Sequence, residues 1–321
     1  MEDTFFVVVN WNGAALLPAC LDALRAQIRP ARVIVVDNGS VDGSAAVVAA
    51  RPWVEWLGLG ENTGFAAGAN AGMRRALLAG ARFVALVNTD VLLAPDWLAR
   101  VRDDADRHPA CGLWNGLLVF ADDPGRVNST GLVLDRVLRG KDRDFGVPLA
   151  RLARGDGPVP GVTGGALLLR AATLRAIGLL DPAYFAYCED ADLSLRAARA
   201  GIGCRFVAAA RGVHGYARTT GAGSPLQRYL LGRNHLLLAA RHMPLAAALI
   251  AVPALAALRV ALACPRELLR RRPAHAAAQL RAARDGLRLA AGALAARLGG
   301  RGGNAAYPAA VPAAGAPWSA R

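Results

Sequence analysis

The chain has 321 residues, 54% apolar and 19% charged, which is enough for one large core and too apolar for a disordered chain. Its net charge of +14 is unevenly placed: residues 1–210 carry 22 basic and 22 acidic side chains, and residues 211–321 carry 16 Arg against Glu267 and Asp285. That asymmetry points to an anionic surface facing the last third, and five cysteines with no C-x-x-C pair read as reduced thiols of a cytosolic protein, not as a disulfide framework.

Met1-Glu2-Asp3 is acidic where a secretory signal is basic, so no signal peptide is expected. Residues 5–10 (FFVVVN) form a continuous apolar run and predict a buried strand. Helical spacing follows over 16–27. A second strand is predicted over 32–37 and a helix over 41–51. A third strand over 54–59, a helix over 65–79 and a fourth strand over 83–88 complete the series. This alternation predicts an α/β fold: a mostly parallel sheet, right-handed crossovers and helices on both faces. Residues 111–137 hold strand-like stretches broken by a turn at 122–125. Residues 139–160, rich in Arg, Asp, Gly and Pro, read as a mobile loop. A strand over 161–170, a helix over 190–200 and a strand over 204–207 follow.

In open α/β sheets ligands bind outside the carboxyl ends of the strands, and each early strand here ends in polar residues. Asp37, before Asn38-Gly39-Ser40, suits a base N–H or ribose hydroxyl; a turn capped by Ser40 is the plainer reading. Asp90 of Asn88-Thr89-Asp90 suits a divalent cation, which takes one or two carboxylates and fills its shell with phosphate and water. A helix cap is the alternative. Glu189-Asp190-Ala191-Asp192 opens a helix, where acids are favourable and Asp192 can pair with Arg196. Three acids so close can also raise one pKa toward that of a general base. His214, among glycines and arginines, suits a metal or phosphate role as well as a structural one.

These pieces, in this order, resemble family 2 glycosyltransferases, especially bacterial rhamnosyltransferase-like members. The matching residues are VVVNWNG (7–13), VDNGSVDGS (36–44), ENTGFAAGAN (61–70), LVNTD (86–90), TGGALLLRA (163–171), YFAYCEDADLSLRAARAG (184–201), His214 and YLLGRN (229–234). They cover roughly residues 1–235. The resemblance implies a GT-A fold and an inverting transfer of a sugar, rhamnose among the candidates, from a nucleotide diphosphate to an acceptor hydroxyl. It implies that Val9, Asn10, Asp37, Gly68, Asn70 and Asn88 hold the nucleotide, and that Gly164 and Gly165 let backbone approach the donor sugar. Asp90 and His214 would ligate Mg2+ or Mn2+, and Asp190, with Glu189 beside it, would be the base. Asn88 departs from the family's D-x-D and removes one carboxylate. The expected partners are a nucleotide-sugar donor and a glycan or lipid-linked acceptor of the cell envelope. A non-catalytic nucleotide-sugar scaffold and a nucleotidyltransferase are the rivals. The second is disfavoured because the segment after the first strand, Asn10–Ala15, has no Lys or Arg.

Residues 243–258 are apolar but short for a membrane span, and Pro244 and Pro253 are expected to break them. Arg270, Arg271, Arg272, Arg281, Arg284 and Arg288 follow. The sequence therefore predicts a catalytic domain over 1–235, a basic amphipathic membrane-associating region over 236–298 and a disordered tail over 299–321. Peripheral attachment to an anionic membrane, on its cytoplasmic face, is expected. Nucleic acid is not, because the arginines lack interleaved aromatics.

Overall fold

The computed structural model describes residues 2–216, 221 and 223–300. β1 (Thr4–Asn10), α1 (Leu17–Arg25), β2 (Arg32–Asp37), α2 (Ser44–Ala49), β3 (Val54–Gly58), α3 (Phe65–Leu78) and β4 (Phe83–Asn88) alternate as the apolar periodicity predicts. β5 (Val91–Leu93), α4 (Trp97–Arg107) and β6 (Cys111–Phe120) follow, then the short strands β7 (Val127–Ser129), β8 (Leu132–Leu134), β9 (Gly140–Asp142) and β10 (Gly157–Pro158). β11 (Ala166–Arg170), α5 (Ala171–Ile177), α6 (Glu189–Arg199) and β12 (Gly203–His214) complete the sheet region. Four helices end the described part of the chain: α7 (Pro225–His242), α8 (Leu245–Leu258), α9 (Cys264–Leu269) and α10 (Pro273–Leu298).

The main sheet runs β10-β12-β6-β11-β4-β1-β2-β3. β3, β2, β1 and β4 are mutually parallel, and β11 is antiparallel to both β4 and β6. Successive side chains on a strand face opposite ways, so Phe5 and Val7 join one core with α3 while Phe6 and Val8 join another with α1 and α4. Gly72 lets α3 lie close on the sheet: a Cβ there would come within 2.3 Å of Val7.

Strand order reverses at β1, which has β2 on one side and β4 on the other. The pairing aligns Asn10 with Asp37 and Val9 with Asn88, so the polar strand ends meet at this switch point.

Three expectations change. Residues 139–160, expected as loop throughout, also hold β9, a 3-10 turn at Leu149–Arg151 and β10, and β9 pairs with β8. Pro253 does not break its helix. It sits inside α8, which continues through a π-helical turn at Arg259–Ala263 into α9, so Leu245–Leu269 form one 25-residue helix, long and apolar enough to cross a membrane, with a mean hydropathy of 2.2 over its most apolar 18 residues. The boundary expected after residue 235 falls inside α7, whose His242 is bonded to the α6 carboxylate Asp192. Most of the tail, residues 301–321, lies outside the described residues.

Candidate active site

At the end of β2, Asp37 is buried. One oxygen accepts from Asn10 Nδ2 at 3.1 Å and the other from Ser40 N at 3.0 Å. The turn reading therefore holds, yet each carboxylate oxygen keeps a second lone pair. Asn10 Oδ1 is buried with no partner, an acceptor facing the same strand ends.

Gly68 and Asn70 do something other than line this pocket. A Cβ on Gly68 would stand 3.0 Å from Val9 and 3.7 Å from Asn38, so its smallness serves helix–sheet packing. Asn70 is 1% exposed and uses both ends of its amide on Leu180, donating to the carbonyl at 2.7 Å and accepting from N–H at 3.0 Å. It anchors the segment ahead of the Glu-Asp pair. Its place in ENTGFAAGAN hid this, because the partner lies 110 residues away.

Beyond β4, Asp90 meets His214 because β5 pairs antiparallel with the end of β12, matching Val91 to His214. His214 Nε2 lies 3.4 Å from Asp90 Oδ1, and Gly215 N donates to the Asp90 carbonyl at 2.7 Å. Asn128 Oδ1 sits 2.8 Å from His214 Nδ1. That contact turns the ring so that Nε2 faces Asp90, the orientation a ligating histidine needs. Tyr216 meets the His214 ring edge-on at 5.9 Å and joins Phe120 and Phe145 in an aromatic cluster. Among the described residues no third Asp, Glu, His or Cys completes a metal-binding group. The pair thus fits a cation whose remaining ligands are phosphate and water.

Gly164 and Gly165 connect this pair to the acids. A Cβ on Gly165 would come within 3.3 Å of His214, and one on Gly164 within 3.5 Å of Asp190. Gly164 N donates to Asp190 Oδ2 at 2.9 Å. Burial raises the Asp190 pKa, backbone donation from Gly164 and Ala191 opposes the rise, and the Asp142 charge adds to it. Burial, then the charge of Asp190, raises Glu189 further, and its Oε2 has no partner. Of the two acids Asp190 is thus the one held nearer the ordinary carboxylate range, and the better placed to accept a proton near neutral pH. Asp142, delivered by β9 from the supposed loop, is a third acid at the site. Burial raises its pKa against the hydroxyls of Ser129 and Thr163 and the charge of His214. Only its acidity marked it in the sequence.

Asp192, two residues on, faces away into the core. It is fully buried, accepts from Arg196 Nε and His242 Nε2, each at 2.8 Å, and meets the Tyr184 hydroxyl at 3.3 Å. The i,i+4 pairing to Arg196 expected from spacing is present.

The segment before the acids is bent hard. Phe185 has φ 64° and ψ −67°, with Ala186 N donating to the Tyr184 carbonyl at 2.7 Å, a γ-turn of the rare strained hand. Tyr187 and Cys188 also have positive φ. Asn234 holds this path by donating to the carbonyls of Tyr184, Ala186 and Tyr187, while Arg233 donates to those of Ala183 and Tyr184. The Arg-Asn pair of YLLGRN is thus a clamp on the backbone that presents Glu189 and Asp190.

A mixed, mostly parallel sheet with its switch point at β1, an Asp–His pair beyond β4 and an acid at the start of α6 define a GT-A glycosyltransferase domain. The family model "Glycosyl transferase family 2" matches residues 5–149, and the chain belongs to that family. It is 29% identical over 214 residues to the N-acetylglucosaminyl-diphospho-decaprenol L-rhamnosyltransferase of Mycobacterium tuberculosis, spanning 60% of this chain and 69% of the relative. It is 32% identical over 209 residues to galactofuranosyltransferase GlfT1 of the same organism, spanning 63% of this chain and 66% of GlfT1. Among solved structures, the mannosyltransferase PcManGT of Pyrobaculum calidifontis, in complex with GDP-Man and Mn2+, superposes with a TM-score of 0.53 at 18% identity. That match covers 96% of this chain and 81% of the other, and it speaks for the fold alone.

Proposed function

We propose that the protein is a metal-dependent, inverting glycosyltransferase that moves a sugar, with rhamnose the leading candidate, from a nucleotide diphosphate to a lipid-linked acceptor. The observation that carries this reading is the Gly164-Gly165 strip, with Asp190 against one glycine and the Asp90–His214 pair against the other. Asp37 and the free lone pair of Asn10 Oδ1 recognise the nucleoside, and the carboxyl ends of β1 and β4 receive its phosphates. Asp90 and His214 would hold a divalent cation, which would supply positive charge against that of the departing nucleoside diphosphate. Asp190 takes the proton of the attacking hydroxyl, on the face of the sugar opposite the leaving group, so the anomeric configuration inverts. The relative named for an N-acetylglucosaminyl-diphospho-decaprenol acceptor supports a lipid-linked glycan acceptor.

The test is product analysis with a panel of nucleotide sugars, with and without EDTA, on wild type and Asp90→Ala. Free nucleoside diphosphate and an inverted glycoside, lost in EDTA and lowered about 10²-fold or more in the variant, are the expected result. Pyrophosphate as product marks a nucleotidyltransferase. Binding without turnover marks a scaffold. Full activity in EDTA removes the metal.

We also propose that the C-terminal helices lie on an anionic membrane surface at the cytoplasmic face without crossing it. On α8, Ala248, Val252 and Ala256 are buried at i, i+4, i+8, whereas Leu249, Ile250, Leu258, Leu262, Leu268 and Leu269 of the continuous rod are exposed. Arg266, Arg270, Arg271 and Arg272 flank that apolar face, and each Arg near an anionic leaflet contributes about 1 kcal/mol. Truncation at 235 would cut α7, so the test keeps the full chain. Ile250→Asn/Leu262→Asn/Leu269→Asn should sediment with phosphatidylglycerol vesicles at least about tenfold more weakly than wild type, and salt should weaken wild-type binding. Resistance of the wild type to both high salt and alkaline carbonate would mean a spanning helix.

A further inference from the structure

A cavity of about 570 Å3 opens between the start of β9 and the helices α7 to α10. Arg139, Arg228, Arg259, Arg266 and Arg270 line it, with Glu267 as the acid among them. Glu267 is committed to Arg228 at 3.1 Å. Among the described residues no carboxylate stands within ion-pair distance of Arg139, Arg259, Arg266 or Arg270, and the residues outside that set contain no Asp or Glu at all. Arg259 donates to Gln279 Oε1 at 2.7 Å, but its buried Nε has no partner. Burial first, then the charge of Arg139, lowers the Arg259 pKa. The neighbouring His235 is lowered by burial and, with it, by the charges of both arginines. Like charge gathered this closely costs the fold free energy, and a bound anion would relieve it.

The surroundings say what kind of anion. Leu258 and Leu262 line the same cavity and belong to the exposed apolar face of the α8–α9 rod. On the other side, Arg139 stands three residues before Asp142, which β9 carries into the candidate active site; at about 3.3 Å per strand residue that is about 10 Å. The cavity therefore joins an apolar track to the catalytic acids through a cluster of guanidinium groups. Guanidinium suits a diphosphate, because its planar fork donates two hydrogen bonds at once. We propose that this arginine cavity binds the diphosphate of a lipid-linked acceptor, with the lipid running along α8–α9 and the sugar reaching Asp190. The acceptor chemistry rests on the glycosyltransferase reading; the anion site itself does not.

The test measures binding of farnesyl diphosphate in neutral detergent micelles to the full-length protein and to Arg139→Gln/Arg266→Gln/Arg270→Gln, which spares the Arg228–Glu267 and Arg259–Gln279 contacts. Wild type should bind one farnesyl diphosphate per chain, and bind farnesol and inorganic pyrophosphate much more weakly. The variant should lose at least about tenfold in affinity for farnesyl diphosphate while its affinity for nucleoside diphosphate stays at the wild-type value, which excludes unfolding. A variant that keeps wild-type affinity overturns the proposal. So does phosphatidylglycerol competing as well as farnesyl diphosphate, which would make the cavity a general headgroup site. So does inorganic pyrophosphate binding equally well, which would remove the lipid. A protein that binds farnesyl diphosphate in this way yet transfers no sugar keeps the site and loses the glycosyltransferase reading.

Discussion

Asp190→Asn is expected to lower turnover by about 10²–10⁴-fold, the usual contribution of a general base, and to leave nucleotide-sugar affinity unchanged. The substitution is nearly isosteric, and the Asn oxygen can still accept from Gly164 N, so the glycine strip stays in place. Only the capacity to take a proton goes. The pH profile of the wild type carries the same signature. Burial raises the Asp190 carboxyl to about 6. A base works when deprotonated, so activity should rise with pH through about 6, and the variant's residual activity should lack that limb. Glu189→Gln should cost less, because burial and the charge of Asp190 raise Glu189 to about 8, above Asp190. Measuring kcat and donor affinity for both variants separates the two acids. Near-normal turnover in Asp190→Asn, or a larger loss in Glu189→Gln, would assign the proton transfer elsewhere.

Asp192→Ala should be the most destabilising change at the site, by about 3–5 kcal/mol, since it strips the carboxylate from a buried ion-paired network. Arg196 would be left in the core beside the Ile177 and Leu179 carbonyls it bonds, and His242 would lose its acceptor. The effect should appear in denaturant or thermal unfolding, and loss of activity should follow loss of fold. Burial alone would raise the Asp192 pKa, but the hydrogen bond from His242 and the charge of Arg196 outweigh it and hold the carboxyl below 3.8. A depressed folded pKa gives stability that is complete above the unfolded value and is lost as pH falls through the folded one. Wild type should therefore weaken below about pH 4, and Asp192→Ala should show less of that dependence. An Asp192→Ala protein as stable as wild type would mean that the network contributes nothing net.

Asp190 and Asp192 are two positions apart on one helix and carry the same functional group, yet their environments give them opposite pKa directions. Their spacing was legible in the sequence, with the Asp192–Arg196 pairing. Which acid faces the glycine strip and which faces the core depends on how α6 sits between β12 and α7, and no local pattern encodes that. Asn70 is the same lesson in reverse: it stands in a motif read as nucleotide-binding and serves Leu180 instead.

The sequence by itself determined the alternating elements from β1 to β4, the polar ends of those strands, the acids that open α6 and the family they resemble. These follow from local rules: apolar runs make buried strands, 3.6-residue spacing makes helices, and the topology sends strand ends to one edge. Tertiary structure alone decided the pairing of β5 with β12 that sets His214 beside Asp90, the support of His214 by Asn128, and the arrival of Asp142 on β9. It also decided the Asn234 clamp, the unbroken helix through Pro253 and the gathering of Arg139 with Arg259, Arg266 and Arg270. Apart from the helix through Pro253, each joins residues 47 to 131 positions apart in the chain, across contacts whose formation depends on the whole core having closed, and so leaves no periodic trace along the sequence.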